Sequence, residues 1–392
     1  MSTTTPLFGW VVPTSSDLVK NGAVAIETLG DSIDSSMGDL LGGTTGQVLS
    51  KTSNTDMDFT WTTAAPTIDF AAGKNKFLNG DYNINQRIFT STTTTGTYGF
   101  DRQKLICSGG TSTYSAQTFT AGTAPVAGYE SKNFARLVTS SQSAGTDFAA
   151  LVQPIESVRT FAGQTVTFSL WAKASTGTPK IGVAADQNFG SGGSTQVTTS
   201  GGTATISTSW ARYSFTIAVP SISGKTIGSA NDALILWLFS SVGTTVSGSG
   251  YPAVGIQNVT IDTWGWQIEA GSTATDFQTA TGTLQELAAC QRYYQRWSSS
   301  QFSRAGFIYA DSTTNAVFVD KMPVCLRTTP TLTFTNMTAN GNAITAAAVA
   351  SDLGTANSLG LNLTTSGVSA NTVYQLYVAA AQTGIIAYDS EL

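Results

Sequence analysis

The sequence predicts a mainly β protein with four parts: a short N-terminal coiled-coil-like helix, a β-sandwich of jelly-roll type, a short connector helix and a small C-terminal β-domain. Three observations predict it. Thr, Ser and Gly dominate, with 39 Gly punctuating short Thr/Val/Phe/Trp runs, a mixture that favours strands joined by tight turns. Charged residues make up 11% of the chain, far below the share of about 25% in ordinary globular domains, so solubility must come from hydroxyls and amides. Apolar residues alternate along several short stretches, as they do in half-buried strands. At 392 residues the chain is also too long for one core, because cores stop growing at roughly 250 to 300 residues.

From Asp17 to Leu40, Val19, Ile26, Ile33 and Leu40 recur every seven residues, with Gly22, Leu29 and Ser36 at the intermediate heptad positions. This is a thin coiled-coil seam. Val19, Ile26, Leu29, Ile33 and Leu40 are therefore the candidate trimerisation or docking residues; the alternative is an amphipathic helix lying on its own domain. Ser15, Ser16 or Asp17 would cap the start, and Gly42-Gly43 would end it. Gly46 to Trp61 reads as a hairpin that staples the helix, and Thr62 to Pro66 as a linker. The N-terminal region is thus expected over residues 1–65.

Residues 66–282 carry the sandwich pattern. Val166, Phe168 and Leu170 alternate, as do Tyr213, Phe215, Ile217 and Val219. Ala233 to Phe239 is apolar on both faces and suits a central strand. Between Asn258 and Glu269 the parity changes near Thr263, as a β-bulge would make it. Gly190 to Thr205 reads as a long loop or flexible hairpin. Residues 283–298 form the expected connector helix, with Thr283 and Glu286 in capping-box spacing and Leu284, Leu287, Ala288, Gln291 and Tyr294 on one face. Residues 299–392 form the C-terminal β-domain, in which Leu332 and Phe334 alternate, as do Tyr374, Leu376 and Val378.

Several function classes are disfavoured. A net charge of -5 with no Lys/Arg cluster leaves no electrostatic footprint for nucleic acid. The apolar run at Ala233 is too short to cross a bilayer, and the opening residues lack signal-peptide character, so synthesis in a cytoplasm is expected. There is no histidine, which removes imidazole-activated nucleophiles and His metal ligation. Cys107, Cys290 and Cys325 are widely spaced and read as buried thiols rather than a disulfide or zinc framework.

Several motifs resemble those of bacteriophage tail fibre and tail structural proteins that carry a jelly-roll, carbohydrate-binding-module-like domain. Gly9-Trp10 to Pro13-Thr14, the phrase from Leu18 to Gly30 and the Gly46-Gln-Val-Leu hairpin are similar to N-terminal regions of such proteins. Asn79-Gly-Asp-Tyr-Asn-Ile-Asn-Gln-Arg87 with Tyr98-Gly-Phe-Asp-Arg102 resembles the start of the jelly-roll module. Gln267 to Phe277, leading into Glu286 to Tyr294, resembles its end and exit helix. The resemblance implies a non-enzymatic virion component, located in the tail and homotrimeric. Its N-terminal region would sit on other tail or baseplate proteins, and its distal β-domains would contact a host surface glycan or protein. It also leaves room for a carbohydrate-binding adhesion module or a head or tail decoration protein. A polysaccharide depolymerase is disfavoured, because no long parallel β-helix pattern is present.

Sugar binding calls for exposed aromatic faces, and Trp171, Trp210, Trp237, Trp264 and Trp266 are the candidates in the sandwich. Phe302, Phe307, Tyr309, Phe318 and Tyr377 are those of the C-terminal domain. No cofactor is expected beyond a structural calcium, for which Asp81 and Asp262 could supply oxygen ligands. Asp186, Glu130, Glu156 and Glu269 could in principle form a glycosidase pair, but their spacing brings no two together.

Overall fold

Strands dominate because short β-branched and aromatic runs are broken every few residues by glycines and hydroxyl-bearing turns. The computed structural model describes residues 3–16, 18–55, 57–63, 74–127, 129–279, 283–350 and 358–392. The chain divides into two units, Met1–Asp69 and Phe70–Leu392.

In the first unit, β1 (Thr3–Thr4) pairs with β2 (Val11–Val12). A 3₁₀ turn at Val19–Asn21 leads into α1 (Gly22–Met37), and a second turn covers Gly38–Leu40. The helix carries no side-chain N-cap; Asp17 lies outside the described residues. Its hydroxyls bond inward along the helix: Thr28, Ser32 and Ser36 each donate to the carbonyl four residues earlier. Gly42 and Gly43 both adopt φ +86, a left-handed conformation open to glycine, and so end the helical run. β3 (Gln47–Lys51) and β4 (Phe59–Thr63) form a hairpin. It is tied to the helix end, since Phe59 N donates to Asp39 and Trp61 Nε1 to Leu41 O. The expected linker at 62–66 lies mostly outside the described residues.

The second unit is built on two antiparallel sheets. Their strands are β5 (Ser91–Thr92), β6 (Lys104–Ser108), β7 (Thr111–Thr118), β8 (Asn133–Ser140), β9 (Phe148–Glu156), β10 (Thr165–Ala174), β11 (Lys180–Asn188), β12 (Val197–Thr205), β13 (Ala211–Ala218), β14 (Ala233–Val242) and β15 (Thr260–Ala270), with a single helical turn, α2 (Thr244–Ser247), after β14. One sheet runs β13-β10-β15-β8-β7-β5 and the other β12-β11-β14-β9-β6. β14 is the central strand that its two-sided apolar sequence requires. The sheets enclose a core in which Phe77, Phe168 and Trp266 pack with centroids 4.8 to 5.3 Å apart.

Two local expectations are refined. The Gly/Ser/Thr stretch takes the hairpin form of the two expected: its second half is edge strand β12, antiparallel to β11 with a slip in the ladder between Val183 and Ala184. An edge strand needs a partner on one side only, so weak β-formers suffice. The bulge in β15 lies at Gly265, not near Thr263: the pairing jumps from Trp171↔Trp264 to Ser169↔Gln267. Gly265 has φ +67, and a Cβ there would lie 2.7 Å from Trp171. The extra residue puts Trp264 and Trp266 on opposite faces of the sheet, Trp264 against Trp171 and Phe277 and Trp266 against Phe77 and Phe168, and each is buried.

The motif Asn79 to Arg87 is an irregular buried loop. Asn79 is left-handed at φ 57, and its amide holds Ile84 N, Ile84 O and Asp101 O. A Cβ at Gly80 would lie 2.3 Å from Trp266 O, so the close backbone approach requires glycine.

α3 (Thr283–Gln291) is followed directly by β16 (Tyr294–Ser299). The connector helix is thus shorter than expected, because Tyr294 pairs as a strand with Asp389. Leu284 is 81% exposed and Leu287 half-buried, so the leucine end does not pack as its periodicity suggested. Glu286 turns inward instead and accepts from Asn79 N at 2.5 Å. The rest comprises β17 (Arg304–Ala310), β18 (Asn315–Lys321), β19 (Thr331–Thr335), β20 (Met337–Ala339), β21 (Asn342–Ala343), β22 (Ala346–Val349), β23 (Ser358–Thr364), β24 (Thr372–Val378) and β25 (Gly384–Asp389). These form sheets β16-β25-β19 and β21-β20-β24-β17-β18-β23-β22 over a second core that includes Ile308, Phe318, Leu361, Leu376 and Ile386. Among the described residues no helix is long and apolar enough to cross a membrane.

Candidate functional site

Alternation along the five-stranded sheet sends Leu234, Leu236 and Leu238 of β14 into the core between the sheets. Ile235, Trp237 and Phe239 point the other way, onto the sheet's outer face, with Val152 and Ala150 of β9, Ala184 of β11 and Ile106 of β6. The register aligns Ala184, Trp237, Val152 and Lys104 in one row across four strands. The face is apolar and largely covered, with Ala150, Val152, Ala184 and Phe239 buried, whereas Trp237 is half-buried. Its indole stacks on Phe239 at 5.4 Å with the planes 3° apart.

Part of the face is covered by the segment after α2. Val254 and Pro252 lie so close over Gly182 that a Cβ there would meet them at 2.6 and 2.7 Å. Tyr251 packs edge-on against Trp237 and Phe239, and its hydroxyl donates to Asp186 Oδ2 at 2.8 Å. Gly250 and Gly255, which flank this segment, have φ +97 and +87, conformations that let it turn sharply onto the sheet.

Asp186 is fully buried. Burial pushes its carboxyl above the usual range, and the Tyr251 and Thr198 hydroxyls and the Trp237 indole draw it part of the way back. The Tyr251 phenol is pushed up by burial and by the carboxylate beside it. Asp186 Oδ1 and Trp237 Nε1 are both buried and neither makes a well-formed hydrogen bond, although the indole lies close enough to the carboxylate to lower its pKa. Such groups cost free energy until paired, and an acceptor beside a donor suits a hydroxyl, which can serve both at once.

The other candidates fall elsewhere. Trp264 and Trp266 are core, Trp171 is nearly buried, and Trp210 packs on Phe119 and Phe134. Trp237 is thus the one of the five tryptophans on the outer face of the five-stranded sheet. In the C-terminal part Phe302, Phe307 and Tyr309 are exposed and Phe318 is buried, while the Tyr377 hydroxyl accepts from Gly341 N. Of the helix residues, Val19 is 95% and Ile26 65% exposed, and Leu29, Ile33 and Leu40 are half-buried.

The calcium ligands do not fit. Asp262 is bound bidentately by Arg136, with Lys173 3.7 Å away, and Asp81 accepts from Tyr129 and Asn83; a site already holding two cationic side chains does not suit a further cation. Among the described residues no group of three or more acidic or Cys side chains is placed to hold a metal. The four carboxylates serve separate partners: Glu130 accepts from Gly122 N, Glu156 holds Arg292 and Tyr293, and buried Glu269 holds Lys74 and Thr275. The cysteines form no disulfide; Cys290 is buried, whereas Cys107 and Cys325 are half-buried rather than buried as expected.

Tyr251 and Lys104 escaped the sequence reading. Neither lies in an aromatic cluster or a charge pattern, and their place on the face follows from pairing across strands far apart in sequence.

Residues 99–228 match the sequence model of a carbohydrate-binding domain family. The match covers a third of the chain and includes β6, β9, β11 and β12 of the five-stranded sheet; Trp237 and Tyr251 lie beyond it. No curated protein matches the chain. Among solved structures, the chain is similar to the CBM22-2 xylan-binding domain of Paenibacillus barcinonensis Xyn10C at 16% identity, over 49% of this chain and 97% of that one, with a TM-score of 0.28. The C-terminal family 22 carbohydrate-binding module of Clostridium thermocellum Xyn10B is similar at 14% identity over 52% and 98%, with a TM-score of 0.29. The enzymatically active domain of bacteriophage CBA120 tailspike protein 4 is similar at 12% identity over 50% of this chain but 22% of that one, with a TM-score of 0.28. Likenesses this slight bear no argument about function.

Proposed function

We propose that this chain is a carbohydrate-binding adhesion protein without catalytic activity, which lays a glycan across the outer face of its five-stranded sheet. The observation that carries the proposal is the position of Trp237: a half-buried indole on the apolar outer face, beside a buried carboxylate, in a sandwich whose residues 99–228 match a carbohydrate-binding family. The indole offers a flat apolar surface to the C–H side of a sugar ring. Asp186 Oδ1 and the indole N–H offer an acceptor and a donor to one ring hydroxyl. Binding of the full chain to a glycan array, beside Trp237→Ala, tests this. Retention of a defined glycan group, weakened about tenfold or more by the substitution, supports the proposal. Glycan binding that ignores Trp237, or no binding, overturns it.

A second reading places this adhesion protein in a phage virion, as a trimeric tail fibre or spike subunit with its N-terminal region on tail or baseplate proteins. Support comes from the motifs at Asn79–Arg87 and Gln267–Phe277 and from the exposure of Val19, in the turn before α1, and of Ile26, within it, seven residues apart. The solution mass of the full chain is compared with that of a chain lacking residues 1–65. A trimer that falls to monomer supports the fibre; a monomer in both overturns it.

A further inference from the structure

Lys104 lies on the outer face of edge strand β6, in the same row as Trp237 and two strands away, about 10 Å across the sheet. Its Nζ donates to Leu392 O at 2.9 Å and sits 5.1 Å from the centre of the Tyr98 ring. An ammonium carries three donors, and Lys104 is half-buried rather than enclosed.

The segment Asp389–Leu392 is pinned against this edge by arginines. Arg102 is 2% exposed and Glu391 4%, and the two form an ion pair. Arg102 also donates to Pro154 O of β9 at 2.5 Å and lies 3.4 Å from the centre of the Tyr293 ring. Arg87 reaches Asp389 at 3.1 Å and Glu391 at 3.3 Å. Arg327 donates to Ser390 O, to Glu391 O and to Asn231, just before β14. The segment is thereby fixed to three strands or strand ends of the candidate face, and its Leu392 oxygen sets where the Lys104 ammonium can point.

We propose that Lys104 is a second contact of the glycan face, held in place by Glu391 through Arg102, and that it takes an anionic substituent on a sugar next along the chain from the one on Trp237. This rests on the carbohydrate-binding reading above. A ligand crossing the strands from Trp237 to Lys104 meets a carboxylate and an indole first and an ammonium last, so a neutral ring followed by an acidic one fits the row. A carboxylate, sulfate ester or phosphate on that sugar has the required chemistry.

Burial and the neighbouring Arg102 draw Lys104 down to about 8. The charged and titratable groups facing it are Arg102, Arg87, Arg327, Tyr98, Asp389 and Glu391. Tyr98 is held up to about 12 by burial, above the range in which Lys104 titrates. A change in affinity between neutral pH and moderately alkaline pH therefore reports Lys104.

The test uses the full chain on an array of neutral, uronate-bearing, sulfated and phosphorylated oligosaccharides. The wild type is compared with Lys104→Met, Glu391→Gln and Trp237→Ala at neutral and alkaline pH. The expected result is a preference for one anionic class over its neutral parent, about tenfold, which weakens as pH rises through Lys104's range. Lys104→Met abolishes both the preference and its pH dependence. Glu391→Gln weakens the preference several-fold and moves its pH midpoint. Which anionic class is retained identifies the substituent. Binding that needs Trp237 but is equal for neutral and anionic glycans, or a preference that survives Lys104→Met, overturns this inference and leaves the carbohydrate site standing. A wild-type pH midpoint in Glu391→Gln overturns the positioning role. Absence of any Trp237-dependent binding overturns both.

Discussion

The Tyr251 hydroxyl donates to Asp186 Oδ2 at 2.8 Å, which makes an aromatic side chain the cap of a buried carboxylate on the sheet's outer face. The other oxygen of that carboxylate has no partner. Because burial raises the Asp186 carboxyl, its ionised form is disfavoured in the folded protein, and the arrangement costs stability near neutral pH.

Asp186→Asn therefore has opposite effects on stability and binding. The folded state holds the Asp186 proton to a higher pH than the unfolded state does, so this group's contribution to stability improves as pH falls through its raised value toward 3.8. Removing the charge raises the thermal midpoint at pH 7 and flattens that part of the pH profile, while glycan affinity falls because the charged acceptor is gone. Calorimetric melting and array binding of the same preparation check both. A lower midpoint at pH 7 would show that the carboxylate is stabilising, contrary to the cause assigned here.

Gly182→Ala probes the covering segment. The new methyl would meet Val254 and Pro252 well inside contact distance, and a proline ring cannot swing aside as a flexible side chain can. Overpacking of this kind costs about 1 to 3 kcal/mol. The segment Tyr251–Val254 is expected to lift, exposing Trp237 and breaking the Tyr251 bond to Asp186. Denaturant unfolding and faster hydrogen exchange in residues 248–255 are the measurements, and unchanged exchange there would refute the close packing.

Glu156 gives the opposite pH sign from Asp186. Hydrogen bonds from Arg292, chiefly, and from Tyr293 hold its carboxyl below the usual 4.5. The stability from this pair is present above 4.5 and is lost as pH falls through the lowered value. Both side chains are about 40% exposed, so the effect is modest and screened by salt. Glu156→Gln should lower stability slightly at pH 7 and leave it equal to wild type at strongly acid pH.

Much of the fold was legible because period-2 patterns report burial directly: Leu376 and Val378 are buried as their alternation requires, and β14 is central as its two-sided apolar run requires. Misreadings arose where tertiary pairing overrode local chemistry. Tyr294 continues the apolar face of α3 in sequence but becomes a strand residue because Asp389, distant in sequence, supplies its partner. Val197–Thr205 carries the Gly201-Gly202 pair at its centre yet pairs with β11 from Lys180 to Gln187. In the candidate site Trp237 was recognised with four other tryptophans, but which of them faces outward depends on sheet order and on the bulge at Gly265. Tyr251 and Lys104 were invisible for the same reason, since a row across strands has no signature along the chain.

Ile26→Asp tests the exposed seam of α1. Val19 and Ile26 lie one heptad apart and are largely solvent-exposed within one chain, whereas a stable helix of this length normally needs a packed face. On the trimeric reading the substitution places three carboxylates at one core layer, where like charges repel and desolvation is costly. The mass in solution should fall from trimer to monomer at micromolar concentration, with glycan binding per chain retained, because Trp237 belongs to the other unit. A wild-type chain that is already monomeric, or an Ile26→Asp chain that remains trimeric, would remove this seam from the assembly and leave α1 as a helix that packs on its own unit.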